Sequence, residues 1–317
     1  MKTIAILDDY QNVAVKMADW NRLDGKVSIK VLNRHYDDPA ELARELADVS
    51  AIVCNRERTK VTADLIAVLP KLELIVTSGM HNGSIDFAAA EARGIPVCGT
   101  QTLGYPTAEL TVGLMLSAFR HIPEEVASLK AGGWQTRVGR GVNGKTLGIV
   151  GYGRIGKIVA KAGMALGMNV LALSRRLTQE QAAEDGVTAA DLDTLLRNSD
   201  VVSIHLGVNP QSIGLIGAAE FDKMKNTALL INTARAVVVD QKAMIEALHA
   251  GKIGGAALDV YDVEPLPRDH PLMSTPNVLL CPHLGYVMEE NYRVSFPQAL
   301  ENIEAWLAGE PKRLINH

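Results

Sequence analysis

The sequence predicts an α/β protein made of two doubly wound domains, each a parallel sheet with helices on both faces. Two observations carry that prediction. Short apolar runs alternate with helix-spaced segments along nearly all of the 317 residues, the pattern of parallel strands joined by crossover helices. The alternation also falls into two successive series of unequal length, in a chain long enough for two domains of about 100–200 residues each.

The first series starts at the N-terminus. Thr3–Leu7, Val27–Leu32, Ala51–Cys54, Leu74–Thr77 and Pro96–Cys98 are apolar runs bounded by polar residues or glycine, and read as strands. Pro39–Val49 and Ile85–Arg93 have helical spacing. A longer helix is expected from Thr107 to Ala131. There Ala108, Leu110, Val112, Leu114, Met115 and Ala118 are apolar on more than one face, which predicts burial against two partners, domain and subunit together. The second series reads as strands at Thr146–Val150, Val170–Leu173, Val201–Ile204, Ala228–Ile231, Gly255–Leu258 and Val278–Leu280, and a helix over Glu290–Ala308 closes the chain. One domain is therefore expected at 101–286 and the other at 1–100 with 287–317. A cleft between two such domains is a natural substrate site.

Composition narrows the function classes. The chain is 47% hydrophobic and 21% charged, as in soluble globular proteins with an ample core. Its net charge is −4 and no Lys or Arg run stands out, so nothing draws it to nucleic acid or a membrane surface. The N-terminal apolar run is cut by Asp8 and Asp9, unlike a secretory signal. No stretch approaches the roughly 20 apolar residues of a membrane span. Cys54, Cys98 and Cys281 are far apart and form no C-x-x-C pair, the usage of buried thiols in a reducing cytoplasm.

The second series opens on Thr146-Leu147-Gly148-Ile149-Val150-Gly151-Tyr152-Gly153-Arg154-Ile155-Gly156, an apolar strand entering G-x-G-x-x-G, with Lys157–Leu166 reading as the helix that follows. A glycine triplet between strand and helix is what dinucleotide binding requires. Gly151 permits the tight turn, Gly153 lets the backbone approach a pyrophosphate, and Gly156 lets helix and strand pack closely. The helix N-terminus then offers N–H groups to the anion. Ser174 lies 18 residues after Gly156, near the place where an acidic residue reads the ribose 2′-OH in NAD enzymes. Here Ser174 is followed by Arg175 and Arg176. Two guanidiniums without a carboxylate suit a 2′-phosphate, so NADP(H) is expected over NAD(H).

Three further segments follow in order: Leu230-Ile231-Asn232-Thr233-Ala234-Arg235, then Leu258-Asp259-Val260-Tyr261-Asp262-Val263-Glu264-Pro265, then Cys281-Pro282-His283-Leu284-Gly285. Each alone is weak. Behind this glycine loop, together with Arg56–Ile66 (RERTKVTADLI) and Ala108-Glu109-Leu110-Thr111, they resemble the D-isomer-specific 2-hydroxyacid dehydrogenases over nearly the whole chain. That resemblance implies a Rossmann-type cofactor domain inserted in a flavodoxin-like substrate domain, a homodimer paired through the cofactor domain, and hydride transfer between nicotinamide and a small 2-keto or D-2-hydroxy acid.

The resemblance also implies roles. Arg235 grips the substrate carboxylate and carbonyl oxygen, His283 gives that oxygen a proton, and Glu264 bonds the imidazole and favours its protonated form. A guanidinium and an imidazolium suit the negative charge that develops on oxygen. Gly153, Arg154 and Ile155 face the pyrophosphate; His205, Gly207, Thr233 and Ala234 line the cofactor groove; Asp259 and Gly285 lie near the carboxamide. Gly79, Met80, His81 and Asn82 match the loop whose N–H groups bind substrate carboxylate, and Arg56 matches an anion-binding position of phosphoglycerate-type members. The chain departs from the family pattern at Ala236 and Gly207, where Gly and Pro are usual, and in its bulkier Met80-His81-Asn82 loop. The competing reading is a nucleotide-sensing corepressor-like binding protein on the same scaffold. Formate or phosphite oxidation is a second, disfavoured by Glu264, where formate dehydrogenases carry Gln.

Overall fold

A computed structural model describes residues 1–315; the last two residues of the expected 287–317 segment lie outside it. The chain divides into two compact units, Met1–Leu103 with Met288–His317, and Gly104–Val287.

The first unit holds five parallel strands: β1 (Lys2–Ile6), β2 (Val27–Val31), β3 (Ala51–Cys54), β4 (Leu74–Thr77) and β5 (Val97–Gly99), in the order β2-β1-β3-β4-β5. Every residue of β3 and β4 is buried. Strands covered on both faces lose the in–out alternation and read as continuous apolar runs. Three of the intervening helices begin on side-chain caps. Asp38 accepts from the Ala40 N–H, Thr62 from Leu65 and Asp86 from Ala89, each cap stabilising its helix by about 1 kcal/mol. Helix Glu289–Leu307 returns to this unit and buries Tyr292, Phe296, Leu300 and Ile303. The tail beyond it pairs with the free side of β5 through Gly99 N–H to Arg313 O and Ile315 N–H to Val97 O, both 2.8 Å, which covers an otherwise open edge.

The second unit holds seven parallel strands: β6 (Thr146–Val150), β7 (Asn169–Leu173), β8 (Thr188–Ala189), β9 (Val201–Ile204), β10 (Leu229–Asn232), β11 (Gly255–Leu258) and β12 (Val278–Leu280). Their order is β12-β11-β10-β9-β6-β7-β8. Alternate residues feed two apolar clusters, Leu230 joining Phe221 and Met244, Leu229 and Ile231 joining Met115 and Phe119. Chain order reverses between β6 and β9, so this doubly wound sheet has its switch point there, outside the carboxyl ends of the strands. β8, two residues long, has too little periodicity to be read from sequence.

The helix expected over Thr107–Ala131 is two helices, Pro106–Arg120 and Ile122–Lys130, broken at His121 with φ 52°. Pro123 is the cause. In a continuous helix its ring would clash with the carbonyl of Phe119 and leave that carbonyl without its bond. Phe119 O instead accepts the Arg140 N–H at 2.7 Å. The first helix buries Ala108, Leu114, Met115 and Phe119, as its pattern predicts, whereas the second buries none of its residues.

Candidate active site

The residues singled out in the second unit follow the carboxyl ends of its parallel strands. Gly151 follows β6, Ser174 follows β7, His205 follows β9, Arg235 follows β10, Asp259 and Glu264 follow β11, and His283 follows β12. Since β10, β11 and β12 are neighbours, the three catalytic candidates occupy adjoining loops at one edge of the sheet.

The glycine loop is built as the motif requires. Gly151 has φ +107°, and a Cβ there would sit 2.7 Å from the His205 carbonyl. A Cβ on Gly156 would lie 2.3 Å from Gly151 O, whereas one on Gly153 would meet nothing within 4 Å. The outer glycines are thus demanded by packing, and the middle one keeps space open above the turn. Helix Arg154–Ala165 begins at Gly153 without a side-chain cap, leaving its first N–H groups for an anion. These features fit a dinucleotide pyrophosphate. Arg154 extends over Gly104, where a Cβ would come within 2.5 Å of its Nε. Ser174 is half-buried and Arg175 and Arg176 are exposed. His205 bonds Ser203 Oγ through Nε2 at 2.9 Å, and burial pushes its ring down to about 4, so it is neutral at neutral pH. Gly207 lies on the exposed turn beyond it, its carbonyl accepting from Ser212 Oγ at 2.9 Å.

Arg235 is presented by a turn that Asn232 ties off. The Asn232 Nδ2 donates to Arg235 O, and its Oδ1 accepts from Ala234 N–H, both at 3.0 Å. Thr233 Oγ1 meets Thr111 Oγ1 of helix Pro106–Arg120 at 2.8 Å. Across the adjoining loops, His283 Nδ1 lies 2.6 Å from Glu264 Oε2. Tyr261 N–H donates to the other carboxylate oxygen at 2.9 Å, and Tyr261 Oη donates to the carbonyls of Leu258 and Cys281. Glu264 is therefore held at both oxygens. His283 has φ 51°, and Asp259 braces the backbone after it, accepting from Leu284 N–H at 2.6 Å and Gly285 N–H at 2.8 Å. Burial pushes Asp259 up to about 6, against the opposing pull of those N–H groups and of the His283 charge. Thr107 Oγ1 donates to Gly285 O at 2.9 Å. Tyr286 stands edge-on to the imidazole, ring centroids 5.5 Å apart.

The remaining candidates belong to the first unit, after β3 and β4. Arg56 N–H donates to Ser78 Oγ at 2.9 Å and its Nη1 to Ser78 O at 3.2 Å. The guanidinium roofs Gly79, whose φ is +100° and where a Cβ would come within 2.2 Å of Nη1. Met80 and His81 are exposed. Asn82 is fully buried, and its side chain serves the loop itself, donating to Arg56 O and Thr77 Oγ1 at 2.8 Å and accepting from Ser84 N–H at 2.9 Å.

Residues 112–285 match a family model described as D-isomer specific 2-hydroxyacid dehydrogenase, NAD binding domain. The chain belongs to this family. It is 43% identical over 250 residues to D-3-phosphoglycerate dehydrogenase of Archaeoglobus fulgidus, covering 77% of this chain and 47% of that protein. It is 35% identical over 309 residues to glyoxylate reductase of Thermococcus litoralis, covering 91% of this chain and 93% of that one. A crystal structure of phosphoglycerate oxidoreductase from Vibrio cholerae O395 superposes with a TM-score of 0.92 at 37% identity, covering 98% of this chain and all of the other. The chain thus spans about half the length of the first of these relatives. As a D-2-hydroxyacid dehydrogenase family member with the NAD-binding domain, it takes a nicotinamide cofactor.

Sequence reasoning does not single out Asn232, Tyr261, Thr111 or Tyr286. Tyr261 and Asn232 lie inside the quoted segments, but nothing local says that one pins Glu264 and the other shapes the Arg235 turn. Among the described residues no group of three or more His, Cys, Asp or Glu side chains is arranged to hold a metal ion, and no helix is long and apolar enough to cross a membrane.

Proposed function

We propose that this chain reduces small 2-keto acids to D-2-hydroxy acids, reversibly, with NADP(H) preferred over NAD(H). The observation that carries the reading is the Tyr261–Glu264–His283 chain of hydrogen bonds, one loop away from Arg235. The names of the relatives, dehydrogenases and reductases of 2-hydroxy acids, support an enzyme rather than a nucleotide sensor.

When bound, the nicotinamide supplies hydride in reduction and accepts it in oxidation. The chain's own groups do the rest. The Arg235 guanidinium binds the substrate carboxylate and carbonyl oxygen by charge-assisted hydrogen bonds. Glu264 accepts a hydrogen bond from the Nδ1–H of His283 and stabilises the imidazolium, which leaves Nε2–H as the group that passes a proton to the carbonyl oxygen. Asp259 orients that ring by fixing the backbone behind it. Gly151, Gly153 and Gly156, with Arg154 and Ile155, hold the pyrophosphate, and Thr233, Ala234, His205 and Gly207 line the cofactor groove. The second unit is the cofactor domain on this reading. The first is the substrate domain, with Arg56 and the Gly79–Asn82 loop facing the substrate carboxylate.

Ser174 with exposed Arg175 and Arg176 supports the NADP(H) preference. A homodimer is supported by helix Ile122–Lys130, which leaves Ile122, Val126 and Leu129 between 46% and 57% exposed, an apolar stripe at i, i+4 and i+7 that suits a second copy. Three free thiols, two of them buried, support a reducing, cytoplasmic setting. The test is a panel of glyoxylate, hydroxypyruvate and pyruvate assayed with NADH and with NADPH. Turnover with none of them would refute the assignment.

A further inference from the structure

The relatives named above divide between a phosphorylated acid and an unphosphorylated one, and the loops after β1, β3 and β4 of the first unit bear on that choice. Arg56, the cation over the Gly79 loop, is already engaged. Its Nη1 donates to Ser78 O, and its Nε lies 3.4 Å from a Glu57 carboxylate oxygen. Both side chains are only 19% exposed, so water and salt screen the pair less than an open surface pair. Arg58 is turned away to the fold. Its Nη1 donates to the Asp8 carbonyl at 2.6 Å and its guanidinium stacks on Tyr10 at 4.4 Å. The same loops carry two buried carboxylates. Asp8 accepts from Thr59 Oγ1 at 2.6 Å, and Asp9 caps the turn at Val13 and Ala14. Lys60 is exposed to solvent. Both guanidiniums are thus committed within these loops, Arg56 beside the Glu57 carboxylate and Arg58 on the Asp8 carbonyl, while the Asp8 carboxylate also has His35 Nδ1 at 3.5 Å.

A 2-keto acid carries one negative charge, which Arg56 can share. A phosphoryl group adds about 1.5–2 charges at neutral pH and seeks several strong donors at once. Glu57 would repel it from beside the Arg56 guanidinium that overhangs the loop. We propose that this chain selects a short, unphosphorylated 2-keto acid over its 3-phosphorylated counterpart, and that Glu57 is the specificity-determining residue. The inference rests on the dehydrogenase reading above.

The test compares kcat/KM for hydroxypyruvate and for 3-phosphohydroxypyruvate, using the full chain at two ionic strengths. Hydroxypyruvate is expected to be favoured by about tenfold or more, and the preference should shrink as salt rises. Glu57→Gln should cut the ratio by about fivefold and Glu57→Lys further, because charge rather than shape sets it. A wild-type ratio of one or less, or a ratio that neither substitution moves, overturns the inference and leaves the dehydrogenase reading standing. Reduction of neither acid, nor of glyoxylate, overturns both.

Discussion

Glu264 shows how much of the site resides in single atoms. One carboxylate oxygen meets His283 Nδ1 and the other is pinned by the Tyr261 N–H, so the imidazole has one orientation and one free nitrogen. His283→Ala should lower kcat by about 10²–10⁴, the range for losing a general acid. Arg235→Ala should cost roughly 2–5 kcal/mol in kcat/KM through lost charge-assisted binding. Steady-state kinetics on both variants checks this; near-wild-type turnover in both would remove the catalytic assignment. His205 makes a different prediction, about stability. Its folded-state value is pushed down to about 4 by burial, below the usual 6.5. Between those values the unfolded chain binds the extra proton, so stability rises with pH through this window and is lost as pH falls through it. Relative to a His205→Gln variant, the wild type should lose about 2 kcal/mol between pH 7.5 and pH 5. Urea midpoints for both proteins at the two pH values measure it, and a pH-independent difference would mean the ring is hydrated.

At the scale of elements, the glycine loop separates packing from binding. Gly156→Ala puts a Cβ 2.3 Å from Gly151 O, so helix Arg154–Ala165 must shift from β6. A loss of about 1–3 kcal/mol is expected, with weaker cofactor binding. Gly153→Ala meets no protein atom within 4 Å, so stability should stay within about 1 kcal/mol while cofactor affinity still drops. Thermal unfolding beside cofactor fluorescence titration distinguishes the two; equal effects from both variants would contradict this division. The end of β7 carries the cofactor prediction. NADPH should be preferred over NADH by about 1.5–3 kcal/mol, one to two decades in kcat/KM, nearer the lower end because the arginines are exposed, and less at high salt. Ser174→Asp with Arg175→Ala should shift use toward NADH. A clear NADH preference in the wild type would show that Arg175 and Arg176 point into water.

The whole molecule adds the subunit question. The helix Ile122–Lys130 leaves Ile122, Val126 and Leu129 exposed and is followed by Trp134 at 75% and Val138 at 93%, apolar residues of the kind found where a second copy docks. Sedimentation equilibrium at micromolar concentration should give a dimer, and Val126→Asp with Leu129→Asp should give a monomer. A wild-type monomer would defeat the proposal.

Local signals were enough for the strand–helix alternation, the strand–glycine–helix turn at Gly151–Gly156 and the order Arg235, Glu264, His283, because each is written within a few consecutive residues. Strand ends move by a residue, as at β1, β5 and β10, since apolar runs do not mark where pairing stops. The stop at Pro123 was also legible, being a local steric effect, yet the apolar pattern of Thr107–Ala131 masked it. Other features depend on contacts between distant residues. Glu264 and His283 are 19 residues apart and meet only because β11 and β12 pair. Asn82, legible as part of a polar loop, turns inward because Arg56 O and Thr77 Oγ1 need donors. The partners of Arg56 and Arg58, and with them the charge left over for a substrate, are likewise set by which loops the sheet order brings side by side. Composition and periodicity carry no record of those pairings.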